Sequence, residues 1–90
     1  SNSDVSLNER ISLYPNPAEN NRFSVSYSVA NADDVAITVS DMSGRVVYQT
    51  VAQDGGLGRV EIDLTGKSHG VYNVTIRNAG SVANKQVVLK

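Results

Sequence analysis

The chain has no cysteine and no tryptophan, one histidine, one methionine and two prolines in 90 residues. Without cysteine there is no disulfide and no thiolate to hold a metal. That absence leaves the compartment open, because an exported domain with an adequate core does without disulfides. Eight basic side chains nearly balance nine acidic ones, for a net charge of −1, so the balance favours neither nucleic acid nor an anionic membrane. No apolar stretch approaches the roughly 20 residues that a membrane helix needs. No signal peptide is visible, and the first residue is Ser1, so the chain is expected to be a piece of a longer protein. Its length fits one domain. "SNSD" reads as a cloning remnant or linker and is left out of the fold argument.

What is present is a period of two. "RFSVSYSV" puts Phe23, Val25, Tyr27 and Val29 on one face and Arg22 with three serines on the other. Such alternation marks a half-buried strand. "VAITVSD" sets Val35, Ile37 and Val39 inward, "VEIDL" sets Val60, Ile62 and Leu64, and "YNVTI" sets Tyr72, Val74 and Ile76. "RISLY" is a short first strand with Ile11 and Leu13 inward. In "RVVYQTV" and "QVVLK" the facing is ambiguous, because apolar residues follow one another directly.

Turn chemistry separates these runs. In "DMSGR" Asp41 can bond the following backbone and Gly44 can take a positive φ, which reads as a tight hairpin. "NAG" at 78–80 is a second short connection, and "VANADD" links the second and third strands. "QDGGLG" is expected to be a mobile loop, and "LTGKSHG" one irregular turn. Both prolines fall in "YPNP", Tyr14 to Pro17. Proline donates nothing to a ladder and biases its predecessor to extended geometry, so YPNP is expected as a stiff crossing between strands, not a strand interior. Short strands at this spacing predict an all-β sandwich.

Chemistry is sparse. His69 stands alone in a loop, without the second ligand or acid that a metal site or triad requires. Asp33 and Asp34 are two carboxylates where calcium needs six or more oxygens. Gly55, Gly56 and Gly58 precede no helix, so they do not form a phosphate loop. "NVT" at 73–75 matches a glycosylation sequon but lies inside an expected strand. No catalytic residue, cofactor site or metal site is assigned.

Four segments carry a resemblance: "LYPNPAENNRFSV", "ITVSDMSGRVVY", "DLTGKSHGVYNVTI" and "NKQVVLK". In this order they resemble the type A C-terminal sorting domain of the type IX (Por) secretion system of Bacteroidetes. The resemblance implies an all-β fold, a small immunoglobulin-like antiparallel β-sandwich of about seven strands. The matching positions are Tyr14, Pro15, Asn16 and Pro17; Asp41, Gly44 and Arg45; Gly70 and Tyr72; and Lys85 to the end. One position departs: Lys67 stands where the family usually has a leucine. The resemblance implies a non-catalytic address label on a larger N-terminal cargo, with no cofactor and no nucleic-acid or small-molecule partner. It implies an outer-membrane translocon, a shuttle protein and a sortase as partners. It implies passage through the periplasm to the outer membrane, cell surface or medium. On this reading residues 1–10 are a flexible processing region and residues 11–90 the sorting domain. Asp41 and Arg45 are expected to be hairpin structure, and Tyr72 a core or corner tyrosine. Lys85, Gln86, Val87, Val88, Leu89 and Lys90 form the expected recognition segment, at or near a sheet edge; the alternative is that Val87, Val88 and Leu89 only complete the core. A non-catalytic adhesive or glycan-binding module is the alternative; it needs an exposed aromatic platform, for which Tyr14 and Tyr48 are candidates. A purely structural spacer is a third reading.

Overall fold

A computed structural model describes residues 7–90. A 3-10 turn, Leu7–Arg10, leads into seven strands: β1 Ile11–Glu19, β2 Arg22–Ser28, β3 Val35–Ser40, β4 Val46–Ala52, β5 Leu57–Asp63, β6 Gly70–Asn78 and β7 Ser81–Leu89. They pair in the order β4-β3-β6-β7-β1-β2-β5. The ladder is broken within β1, so the strands divide into two sheets, β1-β2-β5 and β4-β3-β6-β7-β1, with β1 contributing to both. This is the all-β sandwich that the alternation predicts, in the immunoglobulin-like form that the resemblance implies.

The inward positions meet in one core. Phe23, Val25 and Ile62 from one sheet face Val35, Ile37, Val39, Val74, Ile76, Val87 and Leu89 from the other. All ten are essentially without solvent contact. Burying each such side chain is worth about 1.5–3 kcal/mol, so this stripe supplies most of the drive to fold.

Several expectations change. The pairing is antiparallel except between β1 and β7, which meet as a parallel bridge at Ala18↔Leu89. YPNP lies inside β1 and forms the crossing between sheets instead of between strands. The ladder to β2 runs from Ile11↔Tyr27 to Tyr14↔Ser24 and resumes only at Glu19↔Arg22. Pro15 and Pro17 have no N–H to continue it, and the next rung belongs to the opposite sheet. Strand β7 lies between β6 and β1, so the expected recognition segment is not at a sheet edge; the edges are β4 and β5. Parallel contact with β1 was invisible because its β1 half contains two prolines.

The loop at 53–56 is pinned, not loose: Val29 N–H donates to the Gly56 carbonyl, and Gly56 N–H to the Asn31 carbonyl. The third glycine, Gly58, belongs to β5, where it pairs with Tyr27. A Cβ there would collide with the Tyr27 ring. The ambiguous run in β4 is explained by a bulge, since Val39 pairs with Tyr48 but Ser40 with Val46. The extra residue puts Val47 and Tyr48 both against the core and leaves Val46 exposed. Leu7–Arg10, expected to be flexible, form an ordered turn with Leu7 buried in the core, and the Asn84 N–H donates to Asn8 Oδ1 at 3.2 Å. The rest of the expected processing region, residues 1–6, lies outside the described residues.

Candidate functional site

Strand β7 takes its facing from the core. Ala83, Val87 and Leu89 point inward and are buried, while Asn84, Gln86 and Lys90 are exposed. Lys85 and Val88 are half-buried. One side of β7 is fully laddered to β6, from Gly70↔Leu89 to Asn78↔Ser81. On its other side, the side chain of Asn16 takes over where backbone pairing ends. Its Nδ2 donates to the Gln86 carbonyl at 2.9 Å, and its Oδ1 accepts from Val88 N–H at 3.2 Å. These are the two groups flanking Val87 that a parallel neighbour's own peptide would engage. Two residues further on each chain comes the true rung, Ala18↔Leu89. Asn16 therefore acts as a substitute rung between two prolines that hold no donor.

The hairpin at 41–45 is organised by one carboxylate. Asp41 Oδ1 accepts from the Ser43 hydroxyl at 2.6 Å and from the N–H groups of Ser43 and Arg45, both at 3.0 Å. Its Oδ2 lies 3.3 Å from Arg45 Nε. The Ser43 hydroxyl is the largest cause, and the Arg45 N–H the next, of an Asp41 pKa lowered from 3.8 to about 2. Gly44 closes the turn at φ 93°, a conformation that side chains disfavour. Asp63 repeats the device on a smaller scale: Thr65 bonds lower its pKa.

Tyr72 is buried, and its hydroxyl donates to the Ser68 carbonyl at 2.7 Å. This is a tyrosine corner, placed at the start of β6 as in immunoglobulin-like sandwiches. Gly70, two residues earlier, sits at φ 145°.

These motif segments are far apart in sequence and adjacent in space. The 41–45 hairpin follows β3, whose Ser40 pairs with Asn73 of β6. Gly70 and Tyr72 open β6 and pair with Leu89 and Val87 of β7. Asn16 and Ala18 of β1 hold β7 from the other side. They thus share one end of one sheet on four consecutive strands. Between hairpin and corner lies a shallow depression of about 650 Å³, lined in part by Asp41, Arg45, Lys67, His69, Gly70 and Tyr72. Tyr14 and Pro15 depart from this cluster. Tyr14 is 76% exposed on the β1-β2-β5 sheet, whereas Tyr48 is half-buried on β4 of the other. The two tyrosines form no shared aromatic platform.

Two features escaped the reading of the sequence. One is the substitute rung of Asn16, which no periodicity reports. The other is a reciprocal amide pair at the opposite end of the sandwich. Asn31 Nδ2 donates to Asn78 Oδ1 at 2.9 Å, and Asn78 Nδ2 to Asn31 Oδ1 at 3.0 Å. Asn78 Nδ2 also reaches the carbonyls of Asp33 and Asp34. A signal for it exists, because Asn78 continues the inward series Tyr72, Val74, Ile76. Asp33 and Asp34 thus serve a loop anchor. Among the described residues no three His, Cys, Asp or Glu side chains gather as a metal site. No helix there is long and apolar enough to cross a membrane.

The architecture defines an immunoglobulin-like module whose motif residues hold turns, a corner and a strand junction. The chain belongs to the secretion system C-terminal sorting domain family, whose model matches residues 12–90. A comparison with curated proteins gives no match. Membership makes this a type IX secretion sorting domain. It implies export to the outer membrane, the cell surface or the medium, with the secretion machinery and an N-terminal cargo as partners.

Proposed function

We propose that the domain is a folded address that carries its cargo through the outer-membrane type IX translocon, and that the machinery reads the outward face of β7 near its end. The observation that supports this is the convergence of four motif segments on one sheet end, with Asn16 bracing Gln86 and Val88. Val87 and Leu89 complete the core, so a reader meets Gln86, Val88 and Lys90. Lys85, half-buried, shares the period of Ala83 and Val87 and pairs with Val74, so it lies on the core side of the strand and not on that face. A shuttle protein takes the folded domain in the periplasm, and a sortase cuts near its N-terminal boundary. The docked Leu7 places the 3-10 turn within the folded domain, which disfavours a scissile bond inside that turn. The role is that of a ligand and substrate, not of a catalyst.

The test is location. Residues 1–90 are fused behind a fluorescent protein carrying an export signal, in a type IX host and in the same host without the translocon. Surface or medium fluorescence in the intact host alone is expected. Equal retention of folded fusion in both periplasms would reject the reading.

A further inference from the structure

The two sheet edges are guarded very differently. Strand β5 carries exposed Arg59, Glu61 and Asp63, charges that discourage pairing along an edge. Strand β4 ends the other sheet, pairs only with β3 among the described residues, and has no charged residue in its seven. It has no proline either, and Val46 and Val51 are about half exposed, at 52% and 53%. Its bulge lies at one end, opposite Val39 and Ser40, and leaves Tyr48 to Ala52 in regular register. An edge of this kind is a template for another strand.

We infer that β4 pairs antiparallel with β4 of a second copy of this chain, joining the two large sheets across a two-fold axis at Gln49 or Thr50. Opposed residues in an antiparallel pair share a face. An axis at Gln49 sets Tyr48 against Thr50, both core-facing. An axis at Thr50 sets Gln49 against Val51, both outward, and Tyr48 against Ala52, both inward. Neither register places like charges opposite each other. In both, Arg45, just beyond the bulge at one end of β4, and Asp54, in the turn at the other, come to the same end of the pair, the arginine of one copy near the aspartate of the other. The symmetry makes that complementary contact twice. Arg45 is available for it, its side chain being 81% exposed beside Asp41. A net charge of −1 per copy sets little repulsion against the pairing. This pairing stands on β4 alone and is independent of the sorting function.

The interface is one strand wide, so it falls in the small class, below about 1,200 Å² in total, where association is weak. Sedimentation equilibrium of the 90-residue chain, from about 10 µM to about 1 mM, spans that range. The expected result is a rise from monomer to dimer mass. Gln49→Lys with Val51→Lys sets lysines opposite each other in either register, and is expected to abolish the rise while keeping the unfolding midpoint. Leu57→Lys on β5 is expected to dimerise as the parent does. A second measurement needs no variant: amide exchange in β4 is expected to slow with concentration while exchange in β5 does not. Monomer mass throughout, dimerisation undiminished in the lysine variant, or β4 exchange independent of concentration would overturn the proposal.

Discussion

The Asn16 side-chain oxygen accepts the N–H of Val88 at 3.2 Å, across 72 residues of sequence. Its amide nitrogen closes the companion bond to the Gln86 carbonyl at 2.9 Å. The tetrapeptide that changes sheets therefore also fastens the end strand. Each bond contributes about 0.5–1.5 kcal/mol net, and the exposed position lets water replace part of it. Asn16→Ala is expected to lower stability by about 1–2 kcal/mol in urea unfolding. Asn16→Asp should cost more at neutral pH, because a carboxylate oxygen then faces the Gln86 carbonyl without a donor. Equal stability of the three proteins would remove the substitute rung from the fold's energetics.

At the opposite end, Asn78 is 5% exposed and fully paired. Asn78→Leu leaves the Asn31 amide and two loop carbonyls without their partner. An unsatisfied buried polar group costs about 1–3 kcal/mol. The variant is expected to lose stability of that order, and amide exchange is expected to quicken at 29–34 and at 55–56, the segments joined through Asn31. Unchanged exchange in the 55–56 loop would show that the two loops are not coupled.

The Asp41 hairpin should make stability depend on pH at the acid end. Its folded pKa, about 2, lies below the ordinary 3.8. A depressed carboxylate contributes stability that is present above the unfolded pKa and lost as pH falls through the folded one. The contribution should therefore fade between about pH 4 and pH 2. Asp41→Asn should flatten that part of the profile, leaving the smaller slope due to Asp63, whose shift has the same direction. A variant profile parallel to the parent's from pH 4 to pH 2 would contradict this.

The fold was readable because most strands carry a strict period of two, and Val25, Ile37, Val74 and Ile76 are buried as that period requires. Where two constraints compete, the pattern fails. In β4 the bulge at Val47 breaks the alternation. In β1 the prolines hide a strand, because propensity reports the missing N–H and not the side chain that replaces it. Gly58 reads as a loop glycine, yet it is in β5 to make room for the Tyr27 ring. Of the site, the Asp41–Arg45 turn and the Tyr72 hydroxyl follow from local chemistry within five residues. The meeting of Asn16 with Gln86 and Val88 does not, since it depends on which sheet β1 joins.

The recognition role of the end strand calls for a variant that spares the core. Deleting Gln86–Lys90 would remove Val87 and Leu89, and with them the fold. Gln86→Ala, Val88→Thr and Lys90→Ala change the outward face only. The decisive measurement is surface fluorescence of the exported fusion bearing these three changes, alongside its unfolding midpoint. A control carries Arg59→Ala and Glu61→Ala on β5. If β7 is read by the machinery, the triple variant folds with an unchanged midpoint, stays in the periplasm, and the control is exported. Export of the triple variant at the parent's rate would show that the machinery reads another part of the domain.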